Sequence, residues 1–255
     1  MSAWRRLTCW PRDRRDLRPE WMDAPSADPA DLRRSLAYIR RVNSLLGYHR
    51  ATIGHLRRFS GAWTPGQVVR ILDVATGSGD LPRAILRWAR RSGHDVRVVG
   101  VDLHATTLAE AAARTGPAER GRLAFARADA LRLPFADGTF DYATTSMFLH
   151  HLTDADAAAA VREMARVARR GIVAADLLRH RRAYAWIALF TLASGPMVKH
   201  DARASVAQAF TKAEALGLRE RAGVTWAAYY RHFGHRFVLA GERGNPKPET
   251  RMTNQ

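Results

Sequence analysis

Cysteine is nearly absent from this chain: Cys9 is the single one in 255 residues. One thiol cannot form an internal disulfide or a cysteine-ligated metal cluster, and a reducing cytoplasm is the expected setting. Lysine is almost as scarce. Only Lys199, Lys212 and Lys247 occur, so arginine carries nearly all of a net charge of +17. Such an excess invites a nucleic-acid partner. Here the arginines are scattered over many segments and accompany an alanine excess, as a GC-rich coding sequence produces. A solvated basic surface is therefore expected, and no nucleic-acid partner. No apolar run reaches the roughly 18 residues that span a bilayer. The longest, residues 183–198, is broken by Thr191, Ser194 and Pro196. The opening Met1 to Arg6 lacks the apolar core of a signal peptide.

What is present suits one globular domain with additions, since 47% of the residues are hydrophobic. Residues 1–27 are polar and without periodicity, and read as a flexible basic arm. Asp28-Pro29 starts a helix, with Leu32, Leu36, Ile39 and Leu46 as its apolar stripe. A second helix follows from about His49 to Phe59. Together, residues 28–65 are expected to form an N-terminal helical cover. From Val68 strands near 68–75, 97–102, 123–127, 140–146 and 171–176 alternate with helices near 80–92, 106–115 and 153–168. Alternation of this kind predicts an α/β fold, a doubly wound, mostly parallel sheet. An apolar helix is expected over 181–193, an irregular segment with a short helix over 196–209, and a helix from Thr211 to Leu218. Strands near 224–232 and 235–242 would end the core at 243 with an antiparallel strand. Residues 180–210 read as a substrate lid, and 244–255 as a disordered tail.

The most informative stretch is Ile71-Leu72-Asp73-Val74-Ala75-Thr76-Gly77-Ser78-Gly79-Asp80. A β-branched, apolar strand runs into a glycine loop, and Asp80-Leu81-Pro82 opens a helix. Gly77 and Gly79 lack a Cβ, so the backbone can turn sharply and approach a ligand. A dinucleotide fingerprint needs a third small residue where this chain has Pro82. A phosphate loop needs a Gly-Lys-Ser/Thr ending, which is missing. Asp73 would repel a diphosphate and attract a sulfonium or ammonium. Farther on, Val98-Val99-Gly100-Val101-Asp102-Leu103 is a short strand ending in an acid suited to ribose hydroxyls. Arg127-Ala128-Asp129-Ala130-Leu131 places another acid after a strand, where it can accept from an adenine amino group.

These motifs, in this order and with Leu149-His150-His151-Leu152 after them, resemble those of class I S-adenosylmethionine-dependent methyltransferases over residues 66–243. The resemblance implies a Rossmann-like fold and S-adenosylmethionine as cofactor. It implies that Asp73, Gly77 and Gly79 hold the methionine end. Asp102 would bind the ribose and Asp129 with Ala130 the adenine, and Ala75, Thr76, Leu103 and Ser146 would also contact the cofactor. Pro19-Glu20-Trp21-Met22-Asp23 and Arg41-Val42-Asn43 resemble bacterial methyltransferases associated with type III polyketide synthases.

In open α/β sheets ligands sit beyond the carboxyl ends of the strands. Met147 to Leu152 follow the fourth strand and Asp176 ends the fifth. A phenol must lose its proton as it attacks, and histidine is the natural base. His151 is expected in that role, His150 as the alternative, and Asp176 as the orienting partner. Met147, Phe148, Trp186, Phe190 and Met197 are the expected acceptor pocket. Metal-dependent catechol-type relatives carry a carboxylate after the fourth strand and an Asp-Asn pair after the fifth, where this chain has Ser146-Met147 and Asp176-Leu177, so no metal is expected. The leading reading is O-methylation of a phenolic or polyketide-type small molecule by a monomer or homodimer. The alternatives are C-methylation of a quinone precursor and a non-catalytic cofactor-binding scaffold. Quinone enzymes of the family carry an Arg-Asn pair after the fourth strand, where this chain has Leu149-His150-His151, which speaks against the former. Asp73, Asp102 and Asp129 speak against the latter.

Overall fold

The computed structural model describes residues 14–18, 20–21 and 48–244. The helix expected from Asp28, the motif at Arg41-Val42-Asn43, Cys9 and the tail beyond Gly244 lie outside them. The strands are β1 (Val68–Val74), β2 (Asp95–Asp102), β3 (Leu123–Arg127), β4 (Phe140–Ser146), β5 (Ala168–Leu177), β6 (Ala228–His232) and β7 (Arg236–Glu242). They form a single sheet in the order β3-β2-β1-β4-β5-β7-β6. β1 to β5 pair in parallel, while β7 runs antiparallel to both β5 and β6. The doubly wound sheet with an inserted antiparallel strand is thus as expected. Strand order reverses between β1 and β4, which puts the crevice beyond their carboxyl ends.

The helices are α1 (Tyr48–Ser60), α2 (Asp80–Arg91), α3 (Ala105–Ala113), α4 (Asp154–Val167), α5 (Arg181–Phe190), α6 (Pro196–Gln208) and α7 (Lys212–Arg221). Local signals explain where several begin. The Thr153 hydroxyl accepts from the Asp156 amide, and Thr211 and Glu214 form a reciprocal capping box. Pro196 stands in the first turn of α6. That helix runs unbroken to Gln208, where an irregular segment was expected: Val198, Val206 and Ala207 turn inward and supply its packing.

Two apolar layers sandwich the sheet. On one face α4 and α7 bring Val161, Met164, Ala215 and Leu218 against Leu72, Ala143, Ile172 and Leu239. On the other, α1 and α2 bring Leu56, Phe59, Ile85 and Trp88 against Ile71, Val98, Tyr142 and Val238. The Phe59 ring stacks on Tyr142 at 5.5 Å. Within the segment 28–65 read as a cover, the described helix, α1, forms a structural layer of the core. Removing residues 1–59 would take Leu56 and Phe59 out of that layer and leave α2 alone on this part of the sheet face. Leu56 is fully buried. Leu56→Ala is expected to destabilise the protein by about 2–5 kcal/mol, measured as a lower urea midpoint at unchanged slope.

The described part of the N-terminal arm is docked on the core. The Arg15 guanidinium donates to the carbonyls of His150 and Gln208 and to Asp154, and lies 3.8 Å over the Phe210 ring. The Trp21 amide donates to Asp201, and its ring stacks on His200 at 4.2 Å.

Candidate active site

The turn after β1 is built by backbone geometry. Ala75, Gly77 and Gly79 all have positive φ, 56°, 54° and 72°. A Cβ on Gly79 would stand 2.7 Å from the Phe125 ring, and one on Gly100 2.7 Å from the Thr76 hydroxyl. Glycine is therefore needed where β1, β2 and β3 converge. Gly77 differs: a Cβ there would meet nothing within 4 Å and would project into open space.

Asp73 is buried beneath this loop. It accepts from the Thr76 and Thr144 hydroxyls, both at 2.8 Å. Burial above all, with the charge of Asp102, pushes its pKa up to about 7, against the pull of those two hydrogen bonds. Asp73 thus ties the loop to β4 from below. A carboxyl whose pKa is raised on folding contributes most below its unfolded pKa, and the contribution is lost as pH rises through the folded value. The stability of the wild type relative to Asp73→Asn is expected to fall between about pH 4 and 7, by a few kcal/mol at about 1.4 kcal/mol per unit. Parallel urea titrations of the two proteins at pH 4.5 and 7.5 measure it.

Asp102, half-exposed at the end of β2, accepts from the Gly77 amide at 2.9 Å and the His104 amide at 3.0 Å. Each oxygen keeps a further lone pair for a ligand hydroxyl. Leu103 beside it is exposed. Asp129 is exposed and accepts from the Leu131 amide at 2.9 Å, with Ala130 half-buried behind it. Ser146 ends β4, next to Met147, which has a φ of 60°. Gly100 and Thr144 were missed in the sequence. An isolated glycine inside a strand signals a close approach and could have found the first; a threonine in β4 carried no such mark.

Beyond β4 and β5 the structure chooses between the two histidines. Leu149–His151 form a 3-10 turn. His150 is buried, and its Nδ1 lies 2.7 Å from Asp176 Oδ1, while its amide donates to Oδ2 at 3.0 Å. Asp176 also accepts from the Leu177 amide at 2.6 Å. Asp176 is therefore the partner of His150, not of His151 as expected. Burial opposes charging His150, but the charge and hydrogen bond of Asp176, with the charge of Glu20, outweigh it and raise its pKa. His151 reaches solvent, yet desolvation and the neighbouring His150 lower its pKa to about 3.

Glu20, from the arm, was absent from the sequence reading as a site residue. It is buried, takes the Ser205 hydroxyl, and stands 4.0 Å from His150 Nε2. Donor atoms of Glu20, His150 and His151 lie within 4.8 Å of one another, so among the described residues these three are within reach of one metal ion. The expectation of no metal considered only the strand ends.

The expected pocket divides. Met147 packs against Leu177 and Ala209, and Phe148 against the core, while Met197 is half-buried. Trp186 and Phe190 instead face solvent and stack on each other. Apolar spacing shows which residues share a helix face, but not whether anything covers that face.

Residues 71–171 match the sequence model of a methyltransferase domain. Over 115 residues the chain is 43% identical to a demethylmenaquinone methyltransferase of Roseiflexus sp. (strain RS-1), covering 44% of each protein. Over 138 residues it is 37% identical to a 2-phytyl-1,4-naphtoquinone methyltransferase of Trichormus variabilis, covering 53% of this chain and 56% of that one. The chain thus spans about half the length of the curated relatives it matches, or less. Its fold is similar to that of an Aquifex aeolicus SAM-dependent methyltransferase, with TM-score 0.53 and 15% identity over 73% of this chain and 88% of that one. It is also similar to the S-adenosylmethionine-dependent methyltransferase SibL, with TM-score 0.64 and 16% identity over 94% of this chain and 65% of that one.

Proposed function

We propose that this chain, which carries a class I S-adenosylmethionine-dependent methyltransferase domain, methylates a hydroxylated aromatic small molecule with His150 as general base. The observation that carries the reading is the buried His150–Asp176 pair, 2.7 Å apart, formed between the turn after β4 and the carboxyl end of β5. S-adenosylmethionine, when bound, supplies an electrophilic methyl group on a sulfonium. Asp102 is proposed to take the ribose hydroxyls on its remaining lone pairs, and Gly77 to let the backbone approach the methionine end. Leu103 would give the adenine ring an apolar surface beside Asp129 and Ala130. Asp176 holds the Nδ1 proton of His150, which leaves Nε2 as the proton acceptor. The cluster with Glu20 and His151 is read here as proton-handling.

The acceptor favoured here is a quinol methylated at a ring carbon, in place of the phenol O-methylation first expected. Support comes from the relatives, named for methylating demethylmenaquinone and phytyl-naphthoquinone. Removing a proton from a ring hydroxyl makes the phenolate, whose charge spreads to the adjacent carbons. One base can therefore activate either atom, and either reaction releases one proton for each methyl transferred. The test is to incubate the protein with the cofactor and a short-chain naphthoquinol, then locate the new methyl by NMR. A ring methyl is expected. A methoxy product would return the reading to O-methylation, and no product from quinols or phenols would overturn it.

A further inference from the structure

Trp186 and Phe190 are both exposed, and so are their neighbours Leu189 and Leu192. Trp186 is 52% exposed, Leu189 64%, Phe190 55% and Leu192 60%. Residues 186, 189 and 190 share one face of α5 at helical spacing. The Trp186 and Phe190 rings stack at 4.3 Å into one continuous apolar surface. The same helix opens with Arg181 and Arg182, both exposed, and has no acid in its first turn. Two cations at a helix N-terminus oppose its macrodipole, so they do not serve the helix itself. No acidic residue occurs between Asp176 and Asp201.

A second element joins this surface. The turn between β6 and β7 carries Phe233, 82% exposed, next to the exposed Arg231. It is tied to the end of β5 by the Leu178 amide donating to the His235 carbonyl at 2.8 Å. The His235 ring stacks on His180, the cap of α5, at 5.3 Å. Both elements therefore lie at the carboxyl edge of the sheet, where the candidate active site opens.

We propose that this rim docks on an anionic lipid bilayer. Trp186, Leu189, Phe190, Leu192 and Phe233 enter the headgroup–acyl boundary, and Arg181, Arg182 and Arg231 meet lipid phosphates. An arginine-flanked helix with aromatic and leucine side chains on its other face is the pattern of an interfacial helix. At ten residues α5 lies on a membrane and cannot cross one. Charge complementarity selects the bilayer over a second copy of this chain. A two-fold contact through the same face would set these arginines against their own copies, whereas an anionic surface neutralises them. The use of such docking, to admit a lipid-dissolved acceptor, rests on the quinol reading above; the docking itself does not.

The test is co-sedimentation of the full chain, without cofactor or acceptor, with sucrose-loaded vesicles. Equimolar phosphatidylglycerol and phosphatidylcholine is compared with phosphatidylcholine alone in 0.1 M salt. The wild type is expected to sediment with the anionic vesicles. Leu189→Glu with Phe190→Glu, and separately Arg181→Glu with Arg182→Glu, should each reduce partitioning at least about tenfold. All four side chains are exposed, so thermal unfolding should match the wild type. No sedimentation of the wild type would overturn the proposal. Equal sedimentation of the variants would reduce it to attraction by overall charge. Loss of a wild-type dimer in the Glu variants, with vesicle binding unchanged, would assign the face to self-association. Vesicle binding by a protein inactive on every quinol would leave the docking standing and the quinol reading fallen.

Discussion

His150→Ala is expected to lower turnover by about 10²–10⁴-fold, the contribution of a positioned general base. His151→Ala should cost far less, because a ring whose pKa is lowered to about 3 is a poor proton acceptor for a phenol or quinol. The sign of the pH dependence follows from the environment of His150. Burial resists its charging, but the carboxylate of Asp176, with that of Glu20, holds its pKa above the ordinary value. The neutral, accepting form therefore prevails only at higher pH. The ascending limb of the rate profile should lie above the ordinary histidine pKa of about 6.5. Asp176→Asn removes the main stabiliser of the charged ring. The limb should then move to lower pH while the plateau falls, and circular dichroism should confirm that the fold persists. Acceptors that ionise more readily should lose less in both variants. Near-normal turnover by His150→Ala on a weakly acidic acceptor would sink the base assignment, and alignment alone would then carry the rate.

Asp102→Ala is expected to weaken S-adenosylmethionine binding by about 2 kcal/mol or more, roughly 30-fold in dissociation constant. Two losses combine in that figure. The ribose hydroxyls lose a charged acceptor, and the Gly77 and His104 amides lose the carboxylate that orders the loop. Asp102→Asn keeps one acceptor oxygen and should fall between alanine and the wild type. Calorimetry with S-adenosylhomocysteine measures each affinity, and equal values for wild type and alanine variant would remove Asp102 from the cofactor site.

The sequence by itself determined the sheet and the glycine loop after β1, because both rest on short-range chemistry. A β-branched strand buried on both faces, a glycine that must take positive φ and a threonine that caps a helix act within a few residues of chain. Hence β1, the turn at Gly77 and Gly79, the acid at Asp102 and the helix starts at Thr153 and Thr211 were all legible. The alternation of elements also led to the position of the crevice. Only the tertiary structure decided which histidine pairs with Asp176. His150 and His151 are adjacent in a 3-10 turn with their rings 4.2 Å apart, and the hydrogen bond to Asp176, 26 residues along the chain, goes to His150. Glu20 reaches His150 and Ser205 across the fold from an arm whose local sequence carries no signal of burial. The apolar residues at 186 and 190 mark the opposite case. Their spacing defines a helix face, but burial depends on what packs there, and no periodicity within one helix contains that information.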